Sequence, residues 1–225
     1  KKANKVDIGS GSIYFLSIKS DNAFALSLHY SDFYLSKGVE MFIYNEQNDF
    51  LIGSFNYSNN KDYNQFSTQL VKGDKSIIEV FVPNDIENNS RIIISKVIHD
   101  FTDLLKFNSS EDRVDCNINV VCDEGDGYRD IINSVLMLDM GGGYCSASLV
   151  NNTAYDLTPY VLTADHCITG NTNNYTLYFN YQSDSCQGST GPLSESLSGA
   201  SLRVSGSASD FALLEWSVVP PESYD

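Results

Sequence analysis

The densest chemistry in the sequence is Leu162-Thr163-Ala164-Asp165-His166-Cys167. A run of strand-forming residues ends in a small alanine and then presents an imidazole beside a cysteine. A general base needs a ring held still within hydrogen-bond reach of the group it deprotonates, and a half-cystine under the turn would remove backbone freedom. The second short signal is Ser209-Asp210-Phe211-Ala212-Leu213-Leu214-Glu215, in which an aspartate opens an apolar strand. From there a buried carboxylate would fix an imidazole tautomer and stabilise its protonated form. His166 and Asp210 are therefore the candidate catalytic pair. Plainer readings stand beside this one: His166 as a structural histidine on a half-cystine, and Asp210 as a turn carboxylate at a strand start. Cys167 as a thiol nucleophile would belong to another class of enzyme.

Other clusters are weaker. Asp123, Glu124, Asp126 and Asp130 offer oxygen ligands to a hard cation, but their spacing lacks the regular calcium-loop pattern, and a solvated acidic turn is the simpler reading. Gly141-Gly142-Gly143 precedes no lysine and no helical pattern, so it reads as a hairpin turn rather than a phosphate cradle. His29 lies opposite an apolar stripe and His99 sits near a strand end, both positions expected at the surface.

The elements that would position these residues are strands. From Ser12 to Phe101 short alternating runs are broken by polar turns, the period of half-buried β-structure. Ile13–Ile18 is one run. In the next, Phe24, Leu26, Leu28 and Tyr30 are expected to face one way and Ala25, Ser27 and His29 the other. Met41–Tyr44 and Phe50–Phe55 flank Asn45-Glu46-Gln47-Asn48-Asp49, a loop of hairpin length. Phe66–Val71, Ile77–Val82 and Ile92–Ile98 follow, so six or seven strands and no helix predict a β-sandwich over 1–106. Asn108–Asp112 is polar and aperiodic, which places a linker over 107–115. Beyond it, over 116–225, come Asp130–Met137, with one helical turn near Ile131, then Tyr144–Val150, Thr158–Leu162, Tyr175–Tyr181, Ala200–Val204 and Phe211–Trp216. The whole chain is read as all-β.

Composition narrows the function. The 225 residues hold 14 Lys+Arg against 29 Asp+Glu, a net charge of −15. Such a chain repels nucleic-acid phosphate and anionic lipid unless a basic patch intervenes, and the sequence has none. No window reaches the roughly 18 apolar residues of a membrane-spanning helix. Charge is uneven: residues 1–110 carry 11 basic against 13 acidic side chains, and residues 111–225 carry 3 against 16. All 5 cysteines lie in the second part, at Cys116, Cys122, Cys145, Cys167 and Cys186, with no zinc-type spacing. Disulfides in an oxidising compartment, secreted or periplasmic, are the consequent expectation.

At the His166 and Asp210 segments the sequence resembles the trypsin-like serine peptidases, most closely the lysyl endopeptidase family of secreted bacterial enzymes. Three further segments match in order: Cys116 to Gly127, Cys145 to Ala154, and Phe179-Asn180-Tyr181-Gln182-Ser183 before Cys186. The likeness spans roughly residues 111–219. It implies His166 as general base, Asp210 as its orienting carboxylate, and bridges Cys145–Cys167 and Cys122–Cys186, each stabilising by roughly 3–4.5 kcal/mol through loop closure. Cys116 would pair with a cysteine beyond this chain. The family's nucleophile occupies a Gly-x-Ser-Gly type turn in a second barrel, and Ser146, Ser148, Ser189 and Ser205 do not match it.

The resemblance thus implies the first barrel of a chymotrypsin-like double barrel, preceded by a β-sandwich prodomain that resembles those of secreted peptidases more loosely. Processing would fall at Lys106-Phe107 or Arg113-Val114. The substrate would be protein or peptide and the partner the missing C-terminal half of the peptidase domain; no metal or cofactor is called for, and the chain alone is expected to be inactive. Residues 107–225 contain no lysine while 1–106 contain 10, which fits an enzyme that cuts after lysine and spares itself, although an acidic surface composition alone would produce the same gap. The alternative is a non-catalytic binding or adhesion protein built on a degenerate peptidase barrel.

Overall fold

The structure is a computed structural model describing residues 2–103, 118–188 and 191–221. The linker segment, both candidate processing bonds, Cys116 and Ser189 lie outside the described residues. The chain divides into two compact units, Lys1–Leu104 and Leu105–Asp225, and both are built from strands.

The first unit contains β1 (Asn4–Ile8), β2 (Gly11–Lys19), β3 (Ala25–Tyr34), β4 (Glu40–Asn45), β5 (Leu51–Phe55), β6 (Phe66–Ser67), β7 (Val71–Lys72), β8 (Lys75–Pro83) and β9 (Arg91–Asp100). One antiparallel sheet has the order β1-β2-β8-β4-β5. In the other, β3 pairs with β9 and with the short β6 and β7. Between them lies a core that includes Tyr30, Phe33, Met41, Ile43, Phe66 and Ile78, the sandwich arrangement in which inward faces of two sheets share one apolar layer. The β4–β5 loop folds on Asn45, whose side chain accepts from the Asp49 and Phe50 amides and donates to the Asp49 carboxylate.

Three expectations change here. The Phe66–Val71 run is two short strands, because Thr68 leaves the ladder: its hydroxyl accepts from the Leu28 amide at 3.1 Å and its carbonyl from the Ser27 hydroxyl at 2.8 Å. Strand β3 is buried on both faces, so Ala25, Ser27 and His29 are as enclosed as Leu26, Leu28 and Tyr30, while Phe24 is 45% exposed. His29 is therefore not a surface residue. Burial, helped by the Lys96 charge, pushes its pKa down to about 4. His99 is half-buried, with Nδ1 2.8 Å from the Ser20 hydroxyl.

The second unit opens with a 3-10 turn over Asp123–Tyr128 and a single turn of helix, α1 (Arg129–Ile132), so the Asp130–Met137 run is strand only in its second part. Then come β10 (Val135–Asp139), β11 (Tyr144–Val150), β12 (Tyr160–Thr163), β13 (Thr176–Tyr178), β14 (Ser196–Ser198), β15 (Ala200–Gly206) and β16 (Phe211–Trp216). Their antiparallel order is β14-β13-β10-β11-β12-β16-β15. The two outermost strands are consecutive in the chain, separated only by Gly199 at φ +92°, so the sheet must curl round on itself. Gly199 ties both ends: its amide donates to the Tyr175 carbonyl and its carbonyl accepts from the Ser217 amide. Leu138, Val161, Tyr175, Leu177, Leu214 and Trp216 are among the side chains that fill the core of this barrel sheet. Gly141–Gly143 lies in the β10–β11 hairpin, where the Met140 amide donates to the Gly143 carbonyl.

Candidate active site

Strand register brings the two candidate residues together. β12 runs antiparallel to β16 with Thr163 opposite Ala212, so the chain leaving β12 and the chain entering β16 emerge side by side. Ala164 caps a 3-10 turn over Asp165–Cys167 that carries the imidazole. Asp210 precedes β16 at φ +50°, a left-handed conformation that aspartate tolerates better than most residues.

The Asp210 carboxylate then bonds twice to one residue. Oδ1 accepts from the His166 amide at 3.0 Å, and Oδ2 lies 2.8 Å from His166 Nδ1. Both distances fall in the range of well-formed hydrogen bonds. The amide bond, and then the ring bond, hold the Asp210 carboxyl below the usual aspartate range. An ionised carboxylate on Nδ1 calls for a ring proton there, and in the neutral ring this leaves Nε2 with a free lone pair. That is the tautomer a general base needs.

Three anchors hold the turn from beneath. Cys167, 2% exposed, is bonded to Cys145 of β11, with Cα atoms 6.3 Å apart. The Thr163 hydroxyl donates to the Ser146 carbonyl at 3.0 Å, crossing from β12 to the same strand. The buried Tyr175 hydroxyl accepts from the Thr169 amide at 2.6 Å and lies within bonding distance of the Cys167 and Thr169 carbonyls. Sequence reasoning placed Thr163 in the His166 segment and Tyr175 in a strand run but missed that both brace the turn. Their types fit many core positions, and only the fold puts them under the turn.

The site is open. The His166 side chain is 71% exposed and that of Asp210 52%, so Asp210 is not the buried carboxylate expected from its apolar strand. The strand is apolar because its alternate residues Ala212, Leu214 and Trp216 face the core, whereas Asp210 stands before its first residue, outside that buried face. Among the described residues the His166 ring bonds to Asp210 and to no serine. Ser146 and Ser148 sit in β11 and Ser205 in β15.

Cys145, His166 and Cys167 have their sulfur and nitrogen atoms within 4.8 Å of one another, but both sulfurs are consumed in the disulfide and offer no thiolate to a metal. Cys122 is bonded to Cys186, fastening the start of this unit to the segment after β13. Asn119 reinforces that junction by donating to the Ser183 hydroxyl and the Gly188 carbonyl. Asp123, Glu124, Asp126 and Asp130 are exposed, and Arg129 pairs with Asp126 while donating to the Val120 and Cys122 carbonyls. This is a solvated turn braced by one arginine. Among the described residues no helix is long and apolar enough to cross a membrane. A family model described as lysyl endopeptidase, C-terminal domain, matches residues 109–225, just over half of the chain.

Proposed function

The chain belongs to the lysyl endopeptidase family, and on that premise we propose that it carries the histidine and aspartate of a secreted or periplasmic serine endopeptidase that cuts peptide bonds after lysine. The observation that supports this reading is the pair of hydrogen bonds that the Asp210 carboxylate makes to the amide and ring of His166. His166 Nε2 takes the proton from a serine hydroxyl as that oxygen attacks the scissile carbonyl. It then returns the proton to the leaving amine, and repeats the cycle with water to release the acyl group. Asp210 stays ionised and stabilises the imidazolium. The serine and the donors for the oxyanion would come from the family's second barrel, packed over the exposed face of His166.

In the same reading residues 1–106 form a prodomain that is cut away within 107–115. A base on a disulfide-pinned turn keeps its position while substrates come and go. The test is fluorophosphonate labelling and hydrolysis of a lysine-containing peptide by the natural full-length gene product, with His166→Ala beside it. Labelling and turnover in the natural protein, and loss of both in the variant with little change in thermal stability, support the proposal. Turnover retained by His166→Ala overturns it, and a natural protein that neither labels nor cleaves favours the binding-module alternative.

A further inference from the structure

The sandwich unit is not filled evenly. At one side its core is aromatic, with Phe33 stacked on Phe66 at 4.4 Å between ring centroids and Tyr30 and Phe55 edge-on around them. Towards β2 and β9 it is aliphatic, and there a cleft of about 710 Å³ opens between the sheets. Its walls include Leu16 and Ile18 of β2, Ile78 and Val80 of β8, and Ile92 and Ile94 of β9. β2 lies between β1 and β8 within its sheet, where core-facing residues are ordinarily enclosed, yet Tyr14, Leu16 and Ile18 are only half-buried. They pack against the edge of the core and also line the cleft.

Among the described residues the lining contains no charged side chain, and its polar members are Tyr14, Asn88 and Ser90. Ser90 Oγ accepts from the Ser36 amide at 2.9 Å, which leaves its hydrogen available to donate, and Asn88 Oδ1 accepts from the Ser90 amide. An extended peptide would bring an amide and a carbonyl with every residue into a slot that could satisfy few of them. A carboxylate or phosphate head would find no counter-charge among the described lining residues. A volume of this size lies within the range of small-molecule sites.

We propose that this cleft binds one straight acyl chain bearing a neutral, hydrogen-bonding head, the chemistry of a fatty alcohol or a monoacylglycerol. The chain lies along the aliphatic walls and the head meets the Ser90 hydroxyl. The site belongs to the sandwich unit and is independent of the peptidase reading.

The 225-residue chain is titrated with octanol, dodecanol and hexadecanol, with dodecanoate and an uncharged apolar peptide as comparison ligands, and stoichiometry is read by native mass spectrometry. One alcohol binds per chain. Kd tightens about fourfold per added methylene until the cleft is full and then levels off. Dodecanoate binds more weakly than dodecanol. Ile94→Phe, which fills the slot, and Val97→Trp, which blocks its rim from a position 37% exposed, each weaken dodecanol by at least about tenfold. Leu157→Ser, at an exposed position of the other unit, leaves binding unchanged. Absence of alcohol binding, affinity that climbs without levelling, equal binding by Val97→Trp, or tighter binding of the peptide than of dodecanol would each overturn the assignment.

Discussion

Removing the Cys145–Cys167 bridge tests how the His166 turn is held. The bond spans 22 positions, and constraining a loop of that length in the unfolded chain stabilises the folded state by about 3 kcal/mol. The Cys122–Cys186 bond spans 64 positions, for which the same relation gives about 4 kcal/mol. The double variant Cys145→Ala/Cys167→Ala should therefore lose about 3 kcal/mol, on a scale where a whole domain has roughly 5–15 kcal/mol. Equilibrium urea denaturation reads this directly: with a slope of about 1–3 kcal/mol per molar, the midpoint of the second unit falls by roughly 1–3 M. A local effect accompanies the global one. Freed from β11, the turn loosens, and the His166 amide, which donates to Asp210 at 3.0 Å, should exchange faster with solvent deuterium than in the parent. A loss below about 1 kcal/mol together with an unchanged His166 amide would refute the argument that the bridge anchors this turn.

Two further outcomes are expected. Because burial holds the His29 pKa near 4, below the ordinary 6.5, the unfolded chain binds a proton more readily between those values; the sandwich loses stability as pH falls through that window, by about 3 kcal/mol in total, and His29→Gln flattens this part of the urea-midpoint profile. An acid profile identical in parent and variant would count against a buried neutral His29. Tyr175→Phe leaves the Thr169 amide without its acceptor and should cost about 1–3 kcal/mol in the second unit, seen as a lower thermal midpoint; a midpoint unmoved or raised would show that this hydroxyl does not brace the turn.

Much of the strand pattern could be read from residue types, since alternation over Ile13–Ile18, Met41–Tyr44 and Ile77–Val82 marks β2, β4 and β8. β1 was invisible because Asn4–Ile8 is rich in lysine, asparagine and aspartate and exposed along its whole length. It forms through a tight turn at Gly9 and Ser10 that pairs it with β2. β14 is a three-residue strand, too short to show a period. His29 misled because alternation separates apolar from polar faces but does not say that a polar face stays in solvent. In the second unit, local spacing could place His166 after one strand and Asp210 before another, 44 residues apart. Their adjacency depends on the β12–β16 register, a long-range property that no window of sequence contains. The resemblance to a peptidase family supplied what periodicity could not, while the bracing bonds of Thr163 and Tyr175 depend on long-range contacts that their places in the sequence do not show.

The most direct test of the central claim is the turnover of Asp210→Asn in the natural full-length gene product, measured on a lysine-containing peptide. The amide keeps the shape of the carboxylate but cannot hold the ring proton on Nδ1 or stabilise an imidazolium. kcat should fall by roughly three to four orders of magnitude while the folded structure persists. A kcat within about tenfold of the parent, from a variant that still folds, would contradict the account.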